Sequence, residues 1–287
     1  MKQYSRHLTV EQICGLFGKT RQSWYERTWR HADQQLQDEL VLHWVREIRG
    51  TLPRVGCIKL HRMLGNRMEE HGIHLGRDGF FTLLRDHDLL IRVRKKYVHT
   101  TDSRHRYKKL PNVLQEITVH QPEQVWVSDI TYLRTVNGFI YLFLVTDAWS
   151  RKIMGYHVSQ RLKANGCIIA LNKALQARNY PKRPLMHHSD RGVQYCCDDY
   201  VELLQRNKIT ISMTESGSPY DNAIAERING ILKQEFDLDI TFSSYGHAVG
   251  PVMQAIHSYN NIRPHFSCDL KTPAFVHMVQ QPSNHDP

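Results

Sequence analysis

The stretch Ser218-Pro219-Tyr220-Asp221-Asn222-Ala223-Ile224-Ala225-Glu226-Arg227 constrains this chain more than any other. A Gly/Ser/Pro loop from Glu215 to Pro219 runs into Asp221 and Asn222, both good N-cap residues. Ile224, Ile228, Ile231, Leu232 and Phe236 then recur at helical spacing and predict an amphipathic helix with one buried face. Glu226 falls in its first turn or two, where the helix dipole favours an anion. Asp221 competes with Glu226 for a chemical role, but its position reads as a cap.

Two earlier acids have a similar setting, a carboxylate at the end of an apolar strand. Asp129 lies in Val125-Trp126-Val127-Ser128-Asp129-Ile130-Thr131-Tyr132, and Asp190 in Leu185-Met186-His187-His188-Ser189-Asp190-Arg191-Gly192. Thirty-five residues separate Asp190 from Glu226, room for a helix, a strand, a loop and the start of a second helix. Phosphodiester chemistry needs an in-line nucleophile, charge relief at the phosphate and a stabilised leaving oxygen. Two Mg²⁺ ions about 3.5–4 Å apart meet all three needs, and Mg²⁺ takes oxygen ligands. Without metal, converging carboxylates would repel one another. Each acid also has a plainer reading: Asp129 as a strand end, Asp190 as an Asx-turn before Gly192, Glu226 as a first-turn helix acid. Asp147 also ends a strand, but Ala148-Trp149-Ser150 makes a turn the simpler account. Among the 18 histidines and six cysteines no H-x-x-x-H pair or Cys/His cluster has zinc spacing.

The net charge of +10 is unevenly placed. Residues 1–110 carry 22 Lys/Arg against 12 Asp/Glu, whereas residues 111–287 carry 16 of each. This asymmetry points to a polyanion-binding part joined to a neutral one. Within the basic part, residues 9–27 read as a small helix-turn-helix, with Thr9 capping the first helix, Gly18 in the turn and Thr20 capping the second. A polar-rich helix is predicted from Ala32 to about Arg49. A second helical pair spans roughly Val55 to Asp86, leaving Arg77 and Arg85 as candidate contacts to phosphates or base edges. Residues 92–111, with Arg92, Arg94, Lys95 and Lys96, read as a basic linker able to follow a phosphate backbone. The cysteines show no C-x-x-C pair, as expected of free thiols in a reducing compartment. The longest apolar run, Phe139 to Val145, is too short to span a membrane, so a cytoplasmic protein with no membrane partner is expected.

From Gln124 the pattern changes to β-rich runs, Val125 to Thr135 and Phe139 to Asp147, separated by the hairpin signal Val136-Asn137-Gly138. The predicted order continues with a strand (Lys152–Ser159), helix (Ala164–Arg178), strand (Leu185–His188), helix (Asp198–Arg206) and strand (Ile209–Met213) before the Glu226 helix. That order predicts an α/β fold, a mixed sheet with helices on its faces. Near the end, Tyr259-Asn260-Asn261-Ile262-Arg263-Pro264-His265 follows a helix, with Arg263 and His265 placed to reach DNA, to orient the Glu226 helix, or only to cap the surface.

These motifs resemble a known family. W-V-S-D-I-T-Y around Asp129, H-S-D-R-G-V-Q-Y around Asp190, S-P-Y-D-N-A-I-A-E-R around Glu226 and Y-N-N-I-R-P-H around Arg263 are similar to the second-reading-frame (OrfB-type) transposases of bacterial insertion sequences, whose core resembles retroviral integrase. The resemblance implies a ribonuclease H-like core in which Asp129, Asp190 and Glu226 form the metal-binding DDE triad. It implies Mg²⁺ or Mn²⁺, two ions, cleavage at element ends by water and strand transfer by the freed 3′-OH. It implies DNA partners, a homo-oligomeric synaptic complex, nucleoid association and an upstream-frame DNA-binding product. Asn222 and Arg227, beside Glu226, join the candidate DNA contacts. The expected layout is a helical region (1–91), a basic linker (92–120), the catalytic core (121–240) and a C-terminal helical extension (241–287). Two alternatives stay open: a non-catalytic DNA-binding regulator, and a ribonuclease H-like nuclease that cuts without joining.

Overall fold

Alternation of side chains along a strand puts every second residue on the same face, and in this chain that alternation decides which helix meets which acid. The computed structural model describes residues 9–92, 111–114, 117–214 and 222–279. It divides into two compact units, Met1–Gly50 with Gly56–Leu90, and Thr51–Val55 with Ile91–Pro287.

The first unit is helical. Thr9 closes a capping box with Gln12 at the start of α1 (Val10–Leu16), and Gly18, at φ 61°, makes the turn that follows. The Thr20 hydroxyl accepts the Ser23 N–H at the head of α2 (Arg21–Thr51). The sequence predicts a break before Ala32, yet α2 runs on unbroken for 31 residues. Thr28-Trp29-Arg30-His31-Ala32-Asp33 contains no Gly or Pro to stop it. Val41, Leu42, Trp44 and Val45 of α2 are buried, as are Leu60, Leu64 and Met68 of α3 (Cys57–Glu70) and Phe80, Leu83 and Leu84 of α4 (Arg77–Asp86). Arg67 lies 4.6 Å over the Trp44 ring and pairs with Glu47 at 2.8 Å.

The second unit holds the sheet. β1 (Val125–Thr135), β2 (Gly138–Asp147) and β3 (Ile153–Ser159) pair antiparallel, while β4 (Met186–Ser189) and β5 (Thr210–Met213) continue parallel on the other side of β1. The order is β3-β2-β1-β4-β5, and β6 (Thr241–Phe242) adds a short parallel pairing to β1. This is the mixed sheet with helices on its faces expected from the sequence. One face packs Trp126, Phe143, Val145 and Met154 under α5 (Ala164–Gln176) and α7 (Asp198–Arg206). The other packs Val125, Val127 and Met186 under Ala225 of α8 (Ala223–Glu235). The one-turn α6 (Val193–Cys196) was not predicted.

α9 (Tyr245–Asn261), a short 3₁₀ turn (Phe266–Cys268) and α10 (Pro273–Met278) complete the unit. The sequence does not predict α10, because six residues carry too little periodicity to register. Its His277 is fully buried between acids: Nε2 lies 3.3 Å from Glu123 Oε1 and Nδ1 3.8 Å from Asp147 Oδ1. Glu123 also pairs with Arg178 at 2.9 Å and accepts the N–H groups of Asn179 and Tyr180. Asp147 accepts from Glu123 N–H, Ser150 N–H and the Ser150 hydroxyl, the turn role expected of it. All six cysteines are free thiols.

Gly155 on β3 lies directly against the backbone of α5. A Cβ there would overlap the Ala170 carbonyl oxygen and lie 2.6 Å from the Ala174 nitrogen, both backbone atoms that cannot swing aside. Gly155→Ala should therefore destabilise the sheet unit by about 3 kcal/mol or more. Thermal denaturation checks it, and an unchanged midpoint would refute the close approach.

Candidate active site

Asp129 shares the β1 face of Val125 and Val127, so strand alternation turns its carboxylate toward α8. Its two oxygens are taken from different directions. Oδ1 accepts the Ile130 N–H at 2.9 Å, and Oδ2 accepts Asn229 Nδ2 at 2.7 Å. Asp190 follows β4 directly. The parallel register pairs Val127 with His188, which brings Asp190 off the strand in step with Asp129 on the neighbouring strand. Asp190 Oδ1 accepts the Gly192 N–H at 3.0 Å, so the Asx-turn is present as well. Glu226 lies in the first turn of α8, and Asn229 follows it one turn later on the same side.

The electrostatics tie the three acids together. Burial, then the charge of Asp190, and last that of Glu226 push the Asp129 carboxyl up to about 7, against the hydrogen bonds from Ile130 and Asn229. As placed, no three His, Cys, Asp or Glu side chains among the described residues form a ready-made metal cluster. The surroundings nonetheless fit a hard cation. The acids offer oxygen donors only, and the Oδ1 atoms of Asn222 and Asn229 are buried without a hydrogen-bond partner among the described residues.

Asn229 escaped the sequence reading, since a single Asn on a helix has no spacing signal beyond its one-turn distance from Glu226. Lys233, one turn further along α8, escaped it too. Its ammonium lies 4.7 Å over the Tyr132 ring. Burial lowers its pKa, while the charges of Asp129 and Asp239 work against that shift.

The candidate DNA contacts divide. Arg227 is exposed on α8, and Arg77 and Arg85 are exposed on α4, paired with the adjacent Asp78 and Asp86. Arg92 is exposed, and its carbonyl accepts from the Arg54 guanidinium at 2.6 Å. Arg94, Lys95 and Lys96 lie outside the described residues, as does the loop from Glu215 to Asp221. Three expectations are corrected. Asn222 is buried and its Nδ2 donates to the Ser128 carbonyl at 3.2 Å, so it neither faces DNA nor caps α8 with its side chain. Arg263, only 2% exposed, makes a two-pronged pair with Glu235 at 2.6 and 2.8 Å. It thereby grips the end of α8 and neither lies open to DNA nor caps the surface. His265 is buried, its backbone bridged to Lys271.

Comparison with known proteins agrees with the motifs. A family model described as the integrase core domain matches residues 119–219, and a second of the same description matches residues 207–273. An uncharacterized 31 kDa protein of insertion element IS600 from Shigella sonnei is 31% identical over 274 residues, covering 91% of this chain and 96% of the relative. Transposase InsF for insertion sequence IS3A from Escherichia coli (strain K12) is 28% identical over 275 residues, covering 95% of each. Among solved structures, the HTLV-2 integrase catalytic core domain in complex with magnesium matches at TM-score 0.44 and 19% identity, over 55% of this chain and 97% of that one. No helix among the described residues is long and apolar enough to cross a membrane.

Proposed function

Because this chain belongs to the insertion-sequence transposases with an integrase core, we propose that it cleaves element ends and joins them to target DNA with divalent metal at Asp129, Asp190 and Glu226. The observation that carries this reading is geometric: Asp129 leaves β1 on the face that meets α8 and is held by Asn229, one turn beyond Glu226, while the parallel register sets Asp190 beside it, and converging carboxylates are unfavourable unless a cation shares the site. One or two Mg²⁺ or Mn²⁺ ions, when bound, supply charge relief at the scissile phosphate and a more acidic attacking hydroxyl.

The remaining work falls to this chain's own side chains. Asn229 fixes the rotation of the Asp129 carboxylate and joins β1 to the helix that carries Glu226. Lys233 adds positive charge beside Asp129, where an approaching phosphate gains from it. Arg263 holds the far end of α8 through Glu235. Arg77, Arg85, Arg92, Arg94, Lys95, Lys96 and Arg227 contact DNA by charge, and the protein acts as a homo-oligomer, with an upstream-frame product as a further partner.

Labelled element-end DNA incubated with and without Mg²⁺ separates this reading from its rivals. Joined products that need Mg²⁺ support it. Nicks without joined products would leave a nuclease, and binding alone a regulator. Asn229→Ala should lower joining about ten- to a hundredfold through weaker metal affinity. A Mn²⁺ titration followed by electron paramagnetic resonance would show the weakening directly, and unchanged affinity would remove Asn229 from the site.

A further inference from the structure

β1 leads to Asp129 and β4 to Asp190, yet the two strands are in register only from Val125 with Met186 to Val127 with His188. Beyond that pair their ladder ends, and a side-chain link takes its place. Ser128 Oγ, next to Asp129, lies 2.7 Å from Nε2 of His187, three residues before Asp190. The Tyr200 hydroxyl of α7 reaches the same ring nitrogen at 2.9 Å. Strand alternation puts Ser128 and His187 on the sheet face opposite Asp129, under α7. The Ser128 carbonyl accepts Asn222 Nδ2 at 3.2 Å, and the Asn222 carbonyl accepts the Glu226 N–H at 3.1 Å. Ser128 therefore ties together the three elements that present the acids: β1 directly, β4 through His187 and α8 through Asn222.

Ser128, His187 and Tyr200 are all buried, so the Ser128–His187 pair does not meet substrate as a nucleophile and base. Space filling does not account for it either. The His187 ring sits among aromatics, 5.5 Å from the Tyr200 ring and 6.3 Å from that of Tyr195. An apolar ring would fill the same space without a buried Nδ1 that has no hydrogen-bond partner among the described residues. What the polar group adds is direction, because a hydrogen bond fixes distance and angle where apolar packing does not. We propose that Ser128 and His187 are positioning residues that set the separation of Asp129 and Asp190 from behind the sheet. This rests on the metal reading of the triad given above. Groups that share a cation must be held within about half an ångström of the right geometry, and the strands' own ladder stops short of both acids. Tyr200 has a lesser part, since it steadies the ring but joins neither strand to the other.

Mn²⁺ titration of the full-length chain by electron paramagnetic resonance, paired with melting curves in the absence of metal, separates positioning from bulk stability. Ser128→Ala and Tyr200→Phe each delete one buried hydroxyl and should lower the melting temperature by similar amounts, about 2–4 °C. Their metal affinities should part. Ser128→Ala removes the β1 end of the link and should raise the Mn²⁺ dissociation constant about tenfold. Tyr200→Phe leaves Ser128 and His187 joined and should stay within about threefold of the wild type. His187→Phe fills the space with an apolar ring and should weaken Mn²⁺ as much as Ser128→Ala does, even where its melting temperature holds. Unchanged Mn²⁺ affinity in Ser128→Ala, or losses that only follow the melting temperatures across the three variants, would overturn the proposal. A wild type that takes up no Mn²⁺ would overturn the metal reading together with it, so the two failures are told apart.

Discussion

Asp129→Asn, Asp190→Asn and Glu226→Gln should each lower strand transfer on the order of a thousandfold or more, with DNA retention kept. Each substitution removes an anionic ligand and leaves the shape of the side chain intact. Asp129→Asn should show a second effect of opposite sign. In the metal-free wild type the Asp129 carboxyl is held up to about 7 from an ordinary 3.8. The folded state therefore binds a proton that the unfolded state has lost, and stability falls as pH rises across that window. The Asn variant has no such proton to lose, so it should denature later than the wild type at pH 7 to 8 without metal, and added Mg²⁺ should stabilise only the wild type. Paired joining assays and melting curves check both parts. Near-normal joining by any one variant would remove that residue from the triad. A melting point for Asp129→Asn below that of the wild type in the absence of metal would refute the electrostatic account.

Glu123→Ala should cost about 3–5 kcal/mol, the loss expected when one member of a buried ion pair is removed, and should lower the melting temperature by about 10 °C. Its Arg178 partner is nearly as buried, and His277 and the Asn179 and Tyr180 N–H groups lose their acceptor with it. The pH dependence has two sides. Burial opposes ionisation of Glu123, yet the hydrogen bonds from His277, Arg178, Asn179 and Tyr180 prevail and hold its carboxyl at about 2 against an ordinary 4.5. Its contribution is complete above 4.5 and is lost as pH falls toward 2. His277 behaves in the opposite sense. Burial lowers its pKa, but Asp147 and Glu123 outweigh that and raise it above the ordinary 6.5. Its contribution is complete below 6.5 and fades as pH rises through the folded value. Lys152, a nearby cation, works against that rise, and Tyr180 and Ser150 complete the surroundings. His277→Ala should flatten the alkaline limb and leave the acid limb steeper than in Glu123→Ala. Melting temperatures from pH 3 to 9 give both limbs, and identical profiles for the two variants would dissolve the network.

Local chemistry wrote much of this molecule into its sequence. The β-rich run from Val125 to Thr135 identified β1, the Val136-Asn137-Gly138 turn identified the hairpin, and the spacing of Ile224, Ile228, Ile231 and Leu232 identified the buried face of α8. These signals are visible because each depends on neighbours within a few residues. Strand geometry puts Asp129 on the Val125 and Val127 side of β1. The tertiary structure alone decided what that side meets. Asn229 reaches Asp129 across 100 positions of sequence, Arg263 reaches Glu235 across 28, and His277 reaches Glu123 across 154. A charged side chain near a motif looks alike in sequence whether it faces DNA or closes an internal ion pair, so Arg263, His265 and Asn222 could not be assigned before the fold was known. The same holds for α2, where no Gly or Pro near Ala32 interrupts one long helix, and only packing showed that its fully buried residues are Val41, Leu42, Trp44 and Val45.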